Sequence, residues 1–138
     1  MKTKVLFLCT HNSCRSQMAE GLVNHYLGDR IQAYSAGTEA TAVNPRAIRV
    51  LAELGVDITG QRSKTMDEFS GQRFDFVITL CGDANEKCPL FFGGVQRMHI
   101  GFDDPSQVTG SDEEVMAAFR SVRDQLRTTL VEYLGGAV

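Results

Sequence analysis

Cys9 and Arg15 are separated by five residues in the run Cys9-Thr10-His11-Asn12-Ser13-Cys14-Arg15-Ser16. A thiol ahead of a short polar loop that ends in arginine is equipment for attacking a tetrahedral oxyanion. Backbone N–H groups of residues 10–15 can turn inward, and a helix N-terminus adds partial positive charge. Arg15 supplies a planar fork for two substrate oxygens. The loop from Thr10 through Ser16 is therefore expected to bind substrate. The same field favours a thiolate, so Cys9 is expected to titrate well below the free value of about 8.5. Ser16 and Asn12 can hydrogen-bond the sulfur or brace the loop. Cys14 faces the helix start and reads as a small core residue. Alone, a Cys-x5-Arg string is weak, and Cys9 reads equally as a buried strand-end cysteine. Its place between an apolar strand and an amphipathic helix gives it weight.

Two more cysteines, Cys81 and Cys88, flank the polar segment Gly82-Asp83-Ala84-Asn85-Glu86-Lys87. The start, Met1-Lys2-Thr3-Lys4 and then Val5-Leu6-Phe7-Leu8, holds too short an apolar run for a signal-peptide core. A cytoplasmic protein is expected, and there cysteines serve catalysis, redox chemistry or metal binding more often than structural bridges. The spacings Cys-x4-Cys and Cys-x6-Cys fit structural zinc poorly, so a zinc-binding module is the weaker reading and no metal is expected. His25 and His99 read as structural. A net charge of -3 argues against nucleic-acid or membrane-surface binding, yet leaves room for a small anion held by local dipoles and one or two cations. With 43% hydrophobic and 22% charged residues over 138 positions, the composition is that of one soluble domain, residues 1–138. A monomer is the default expectation.

These residues need a scaffold. Lys4 to Leu8 suits a central parallel strand, followed by a helix from Arg15 with Met18, Ala19, Leu22, Tyr26 and Leu27 on one face and Gly28 as its stop. Ile31 to Ala36 reads as a second strand. Asn44-Pro45 opens a helix that Gly55 can close in the left-handed conformation. One helical turn is expected near Met66 to Phe69, and strands at Phe74 to Leu80 and Val95 to Ile100. Ser111-Asp112-Glu113-Glu114 is a capping box for a last helix with Val115, Phe119, Val122, Leu126, Leu130 and Tyr133 inward. The alternation predicts an α/β fold, a parallel sheet with helices on both faces. Ligands bind beyond the carboxyl ends of such strands, where Cys9 and Cys81 both lie.

The run Cys9 to Ser16, with Asp104-Pro105 late in the chain, resembles the low-molecular-weight tyrosine phosphatase fold family. The resemblance implies a four-stranded parallel sheet of order 2-1-3-4 in a three-layer domain, and a general-acid role for Asp104. Without it, Asp104 is a turn residue before proline, and Asp103 is its structural neighbour. The pair Cys81 and Cys88 is similar to that of thioredoxin-coupled arsenate reductases. Tyr34-Ser35-Ala36-Gly37, Val43-Asn44-Pro45 and Gly101-Phe102-Asp103-Asp104-Pro105 resemble segments of the same enzymes. Phosphatases of the family usually place tyrosines just after Asp-Pro. Here Ser106-Gln107-Val108 follow, which suits a bare inorganic oxyanion.

That resemblance implies arsenate reduction by a relay. Cys9 attacks arsenate, a phosphate mimic for which phosphate and sulfate compete, and Cys81 attacks Cys9. Cys88 then moves the disulfide to Cys81–Cys88, and reduced thioredoxin, the electron donor, opens it. No tightly bound cofactor is implied. Closing the pair across six residues requires residues 81–94 to rearrange. The alternative is a tyrosine phosphatase of the same fold, and weak phosphatase activity is expected either way. His11 stands where the family commonly has glycine, and either narrows the mouth or needs a backbone angle that glycine adopts more easily. Some relatives hold potassium through residues corresponding to Asn12, Glu20 and Ser35 plus an acidic side chain, whose place Lys64 takes here. Lys64 either replaces the ion and pairs with Glu20, or is a solvated surface residue.

Overall fold

The computed structural model describes residues 2–81 and 96–137. Four parallel strands, β1 (Thr3–Cys9), β2 (Ile31–Gly37), β3 (Phe76–Thr79) and β4 (Gln96–His99), form one sheet in the order β2-β1-β3-β4. β1 is apolar and buried because it lies between two neighbours and under cover on both faces. Its register sets Leu6 against Tyr34 and Val77, and Cys9 against Gly37 at the strand's end. The expected strand at Phe74 to Leu80 is shorter as a ladder. Phe74 lies before it, edge-on to Tyr34 and Phe69 at ring distances of 5.7 and 5.6 Å, and Leu80 follows it with its N–H on Leu8 O at 2.8 Å.

α1 (Arg15–Leu27), α2 (Pro45–Ala52) and α3 (Asp112–Leu126) share one core with Val5 and Phe7 of β1. The opposite face packs Leu6, Leu8 and Val77 against Phe69 and Phe74, under the 3-10 turn Met66–Phe69. Helices therefore cover both faces, with the longer described ones on one side. Asn44 caps α2 by accepting from Arg46 N–H at 2.8 Å, Pro45 opens it, and Gly55 beyond its end has φ 77°. Ser111 and Glu114 make the capping box at α3. No described helix is long and apolar enough to cross a membrane.

Two helical faces differ from the expected ones. On α1, Tyr26 is 38% exposed while Val23 is wholly buried, because the helix runs through the core and is covered around most of its early turns. The last helix is interrupted after α3 by a π-helical turn, Arg127–Val131, before α4 (Glu132–Ala137). The wider turn changes the angular phase. Leu126, Leu130 and Leu134 all reach the core, while Tyr133 is turned outward at 40% exposure.

α2 and α3 are also tied by charge. Glu53 accepts from Arg120 Nε at 3.0 Å and from Arg123 Nη1 at 2.7 Å, and Arg123 Nη1 also donates to Val50 O at 2.9 Å. The Arg120 and Arg123 guanidinium groups hold the Glu53 carboxyl down to about 2 from an ordinary 4.5. A depressed folded-state value contributes stability above the unfolded value, and that contribution disappears as pH falls toward the folded one. Thermal midpoints of wild type and Glu53→Gln are therefore expected to differ at neutral pH and to converge between about pH 4.5 and 2. A gap that stays constant across that window would remove the pairing as its cause.

Candidate active site

β1 delivers Cys9 to the carboxyl edge of the sheet, and the chain then curls over Gly37. A Cβ at Gly37 would lie 2.7 Å from Thr10 O and 2.8 Å from Asn12 N, so the loop can pass only over a glycine. The loop carbonyls are all held from outside. Thr10 O accepts from Glu39 N at 2.9 Å, His11 O from Ser63 Oγ at 3.0 Å, Asn12 O from Gln17 Nε2 at 3.1 Å and Ser13 O from Asn44 N at 3.0 Å. In a planar peptide the following N–H points opposite to the carbonyl. Tying these carbonyls outward thus turns successive amides toward the concave side, where an anion would sit.

The left-handed residue of the loop is Asn12, with φ 50°. Asparagine tolerates that region better than most residues, and its buried side chain locks it there. Asn12 Oδ1 accepts from Gln17 Nε2 at 2.8 Å and from Lys64 N at 2.9 Å, while Nδ2 donates to Ser16 Oγ at 2.8 Å. Asn12 and Ser16 therefore brace the loop. His11 does not carry the special backbone angle. Its ring lines the mouth, with Nε2 3.3 Å from Glu39 Oε2.

Arg15, at the first turn of α1, is buried and reaches under the loop. Nη1 donates to Phe102 O at 3.0 Å and Nη2 lies 3.4 Å from Asp104 Oδ2. Its Nε is buried without an acceptor among the described residues. An orphaned, charged donor is costly, and Arg15 itself lines a small cavity together with Cys9 and Asp104, His11, Ser13, Cys14 and Ser106. Asp104 caps the 3-10 turn Pro105–Gln107. Its Oδ1 accepts from Ser106 N at 3.0 Å and Oγ at 2.7 Å, which leaves Oδ2 toward Arg15. Asp103 is exposed. Among the described residues no phenylalanine or tyrosine side chain lines the cavity.

Cys9, Cys14 and Cys81 are thiols, all buried. Cys81 accompanies Cys9 at the same edge: its Sγ is 3.1 Å from Thr10 Oγ1, and it hydrogen-bonds Cys9. This contact reverses one expectation. The Cys81 thiol and then burial push the Cys9 thiol up, outweighing Arg15 and the Thr10 backbone, which pull it down. The loop field acts in the expected direction, but a second sulfur against the first opposes it. Cys14 packs in the core and lines the cavity from below, and burial pushes its thiol up to about 11. Cys88 and the expected rearrangement beyond Cys81 lie outside the described residues. His99 Nδ1 sits 2.9 Å from Thr79 Oγ1 and His25 packs edge-on to Tyr26, and no metal-ligand cluster occurs among the described residues.

Behind the loop, Glu20 Oε1 accepts from Ser35 Oγ at 2.7 Å and faces Lys64 Nζ at 3.8 Å. The Lys64 side chain is only 11% exposed, so it is not a solvated surface group. Burial raises the Glu20 carboxyl and lowers the Lys64 ammonium, and each partner opposes the other's shift. The potassium ion that the resemblance implies does not fit these residues, because an ammonium already stands against the carboxylate.

Sequence reasoning missed the supports. Gln17 joins Asn12 to Arg62 O at 2.9 Å and takes a hydrogen bond from Gln61 at 2.7 Å. A glutamine at a core-facing position of α1 was the available signal. The family model of the low molecular weight phosphotyrosine protein phosphatases matches residues 4–137. The chain belongs to that family. An arsenate reductase of Bacillus subtilis (strain 168) is 48% identical over 134 residues, 96% of each chain. A solved structure of an arsenate reductase in the phosphate-binding state superposes with a TM-score of 0.80 at 34% identity, covering 99% of this chain and 98% of the other. The thioredoxin-dependent arsenate reductase of Corynebacterium glutamicum gives a TM-score of 0.65 at 29% identity, with 95% of this chain and 61% of that one covered.

Proposed function

We propose that this chain reduces arsenate to arsenite, with Cys9, Cys81 and Cys88 as a thiol relay and thioredoxin as the final reductant. The observation that carries the reading is the Cys81 thiol held against Cys9 inside an oxyanion loop. A phosphatase has no use for a second thiol there. The names of its relatives and the thioredoxin-dependent neighbour support the same reading. The role is arsenic detoxification by a cytoplasmic, monomeric, single-domain protein.

The chemistry follows from the groups in place. Arsenate enters as the dianion, held by loop amides and by Arg15 Nε, and takes the proton of the Cys9 thiol. The thiolate forms an S–As bond, and Asp104 helps one arsenic oxygen leave as water. Cys81 then attacks Cys9 Sγ as a thiolate. The S–As bond breaks with its electron pair remaining on arsenic, so arsenite leaves as the Cys9–Cys81 disulfide forms. Thr10, on Cys81 Sγ, positions this second thiol and can hydrogen-bond it as it ionises. Cys88 attacks Cys81, releases Cys9 and yields Cys81–Cys88, which a thioredoxin dithiol reduces by exchange.

A single-turnover experiment without external thiol tests the sequence. Reduced protein mixed with arsenate is expected to release one arsenite per chain and to carry a Cys81–Cys88 bridge on peptide mapping. No arsenite, with steady hydrolysis of aryl phosphates, would instead assign the loop to a phosphatase.

A further inference from the structure

Glu20 is a partly buried carboxylate on α1, its side chain 15% exposed, directly behind a loop shaped to bind an anion. Its negative charge opposes that binding unless a cation neutralises it locally. Lys64 does so, with Nζ 3.8 Å from Glu20 Oε1 and donating to Arg62 O at 3.1 Å. The same residue holds the loop by its backbone: Lys64 N donates to Asn12 Oδ1 at 2.9 Å and Lys64 O accepts from Gly37 N at 2.9 Å. Charge compensation and loop shape therefore meet in one residue. The oxygens around the ammonium are a carboxylate, a peptide carbonyl and, through Glu20, the Ser35 hydroxyl. These are hard donors. Ammonium and potassium ions are close in size and prefer the same oxygen surroundings.

We propose that the Lys64 ammonium is a tethered monovalent cation, so that this chain needs no potassium, and that truncating Lys64 opens an oxygen-lined site for a potassium-sized ion. The oxygens stay in place when the side chain is shortened, because Glu20 is held by Ser35 and the Arg62 carbonyl by the segment that Gln17 grips. An uncompensated carboxylate then attracts a small cation, and a bulky organic cation cannot enter.

Two readouts independent of arsenate reduction test this, so failure here is separable from failure of the proposed function. Thermal midpoints and protection of Cys9 from alkylation by inorganic phosphate are measured in potassium chloride and in choline chloride at equal ionic strength. Wild type is expected to behave alike in both salts. Lys64→Ala in choline is expected to melt lower by on the order of 5 °C and to need about tenfold more phosphate for protection, the electrostatic coupling of a nearby charge. Potassium is expected to restore most of both losses. Lys64→Arg, which keeps the charge, and the neutral Glu20→Gln/Lys64→Met pair are expected to ignore potassium. Specific stabilisation of wild type by potassium overturns the proposal. So does a Lys64→Ala chain that potassium does not recover, folded or not, and so does an equal potassium response in the neutral double variant.

Discussion

Replacing Cys81 with alanine is expected to cut arsenite production to below about one-thousandth of wild type, the scale seen when an essential nucleophile is removed, while phosphate binding persists. The loop amides, Arg15 and Asp104 do not depend on Cys81, so the oxyanion is still captured and the S–As bond can still form. What disappears is the thiol that removes Cys9 from arsenic. The variant also isolates the largest cause holding the Cys9 proton. Without Cys81, the remaining pulls from Arg15 and the Thr10 backbone oppose burial alone. Cys9 is therefore expected to be alkylated at lower pH in Cys81→Ala than in wild type, followed by mass spectrometry of the Cys9 peptide. Hydrolysis of a small aryl phosphate should persist or rise, since it needs only the first thiolate. Wild-type arsenate turnover by Cys81→Ala would sink the relay through Cys81.

That reversal at Cys9 shows where sequence reading stops. The apolar run of β1, the capping box at Ser111 and the Asn44-Pro45 helix start were legible because each rests on a few adjacent residues. The site edge was legible too, since parallel topology alone places Cys9 and Cys81 beyond the strand ends. The contact between them was not, for Cys81 meets the loop across 71 residues from Thr10. Local chemistry around Cys9 indicated its field, and tertiary packing added the second sulfur that overrides it. The same limit applies to Asn12, where Gln17 and Lys64 supply the hydrogen bonds that hold the left-handed turn. Leu134 taking the core place expected of Tyr133 has another cause, a change of helical pitch that residue spacing does not announce.

Arg15→Lys is the second substitution expected to act strongly, lowering kcat/KM for arsenate by roughly 10² to 10³, the cost of losing one preorganised oxyanion donor. Lysine keeps the charge and loses the fork. Arg15 divides its donors three ways: Nη1 fixes Phe102 O at 3.0 Å, Nη2 faces Asp104 at 3.4 Å, and Nε has no acceptor among the described residues. A single ammonium cannot hold the Phe102 carbonyl, orient Asp104 and donate to substrate together. The lost Phe102 bond, made by a charged donor, alone costs about 1.5–3 kcal/mol of stability, a fraction of the total that leaves the chain folded and does not explain a hundredfold kinetic defect through unfolding. The orphaned Nε separates a binding role from a general electrostatic one. If Arg15 acted only as a charge, the Arg15→Lys variant would keep phosphate protection of Cys9 within a few-fold of wild type. If the fork matters, protection is lost along with turnover, and adding Asp104→Asn costs less in Arg15→Lys than in wild type, because the two side chains act as a unit.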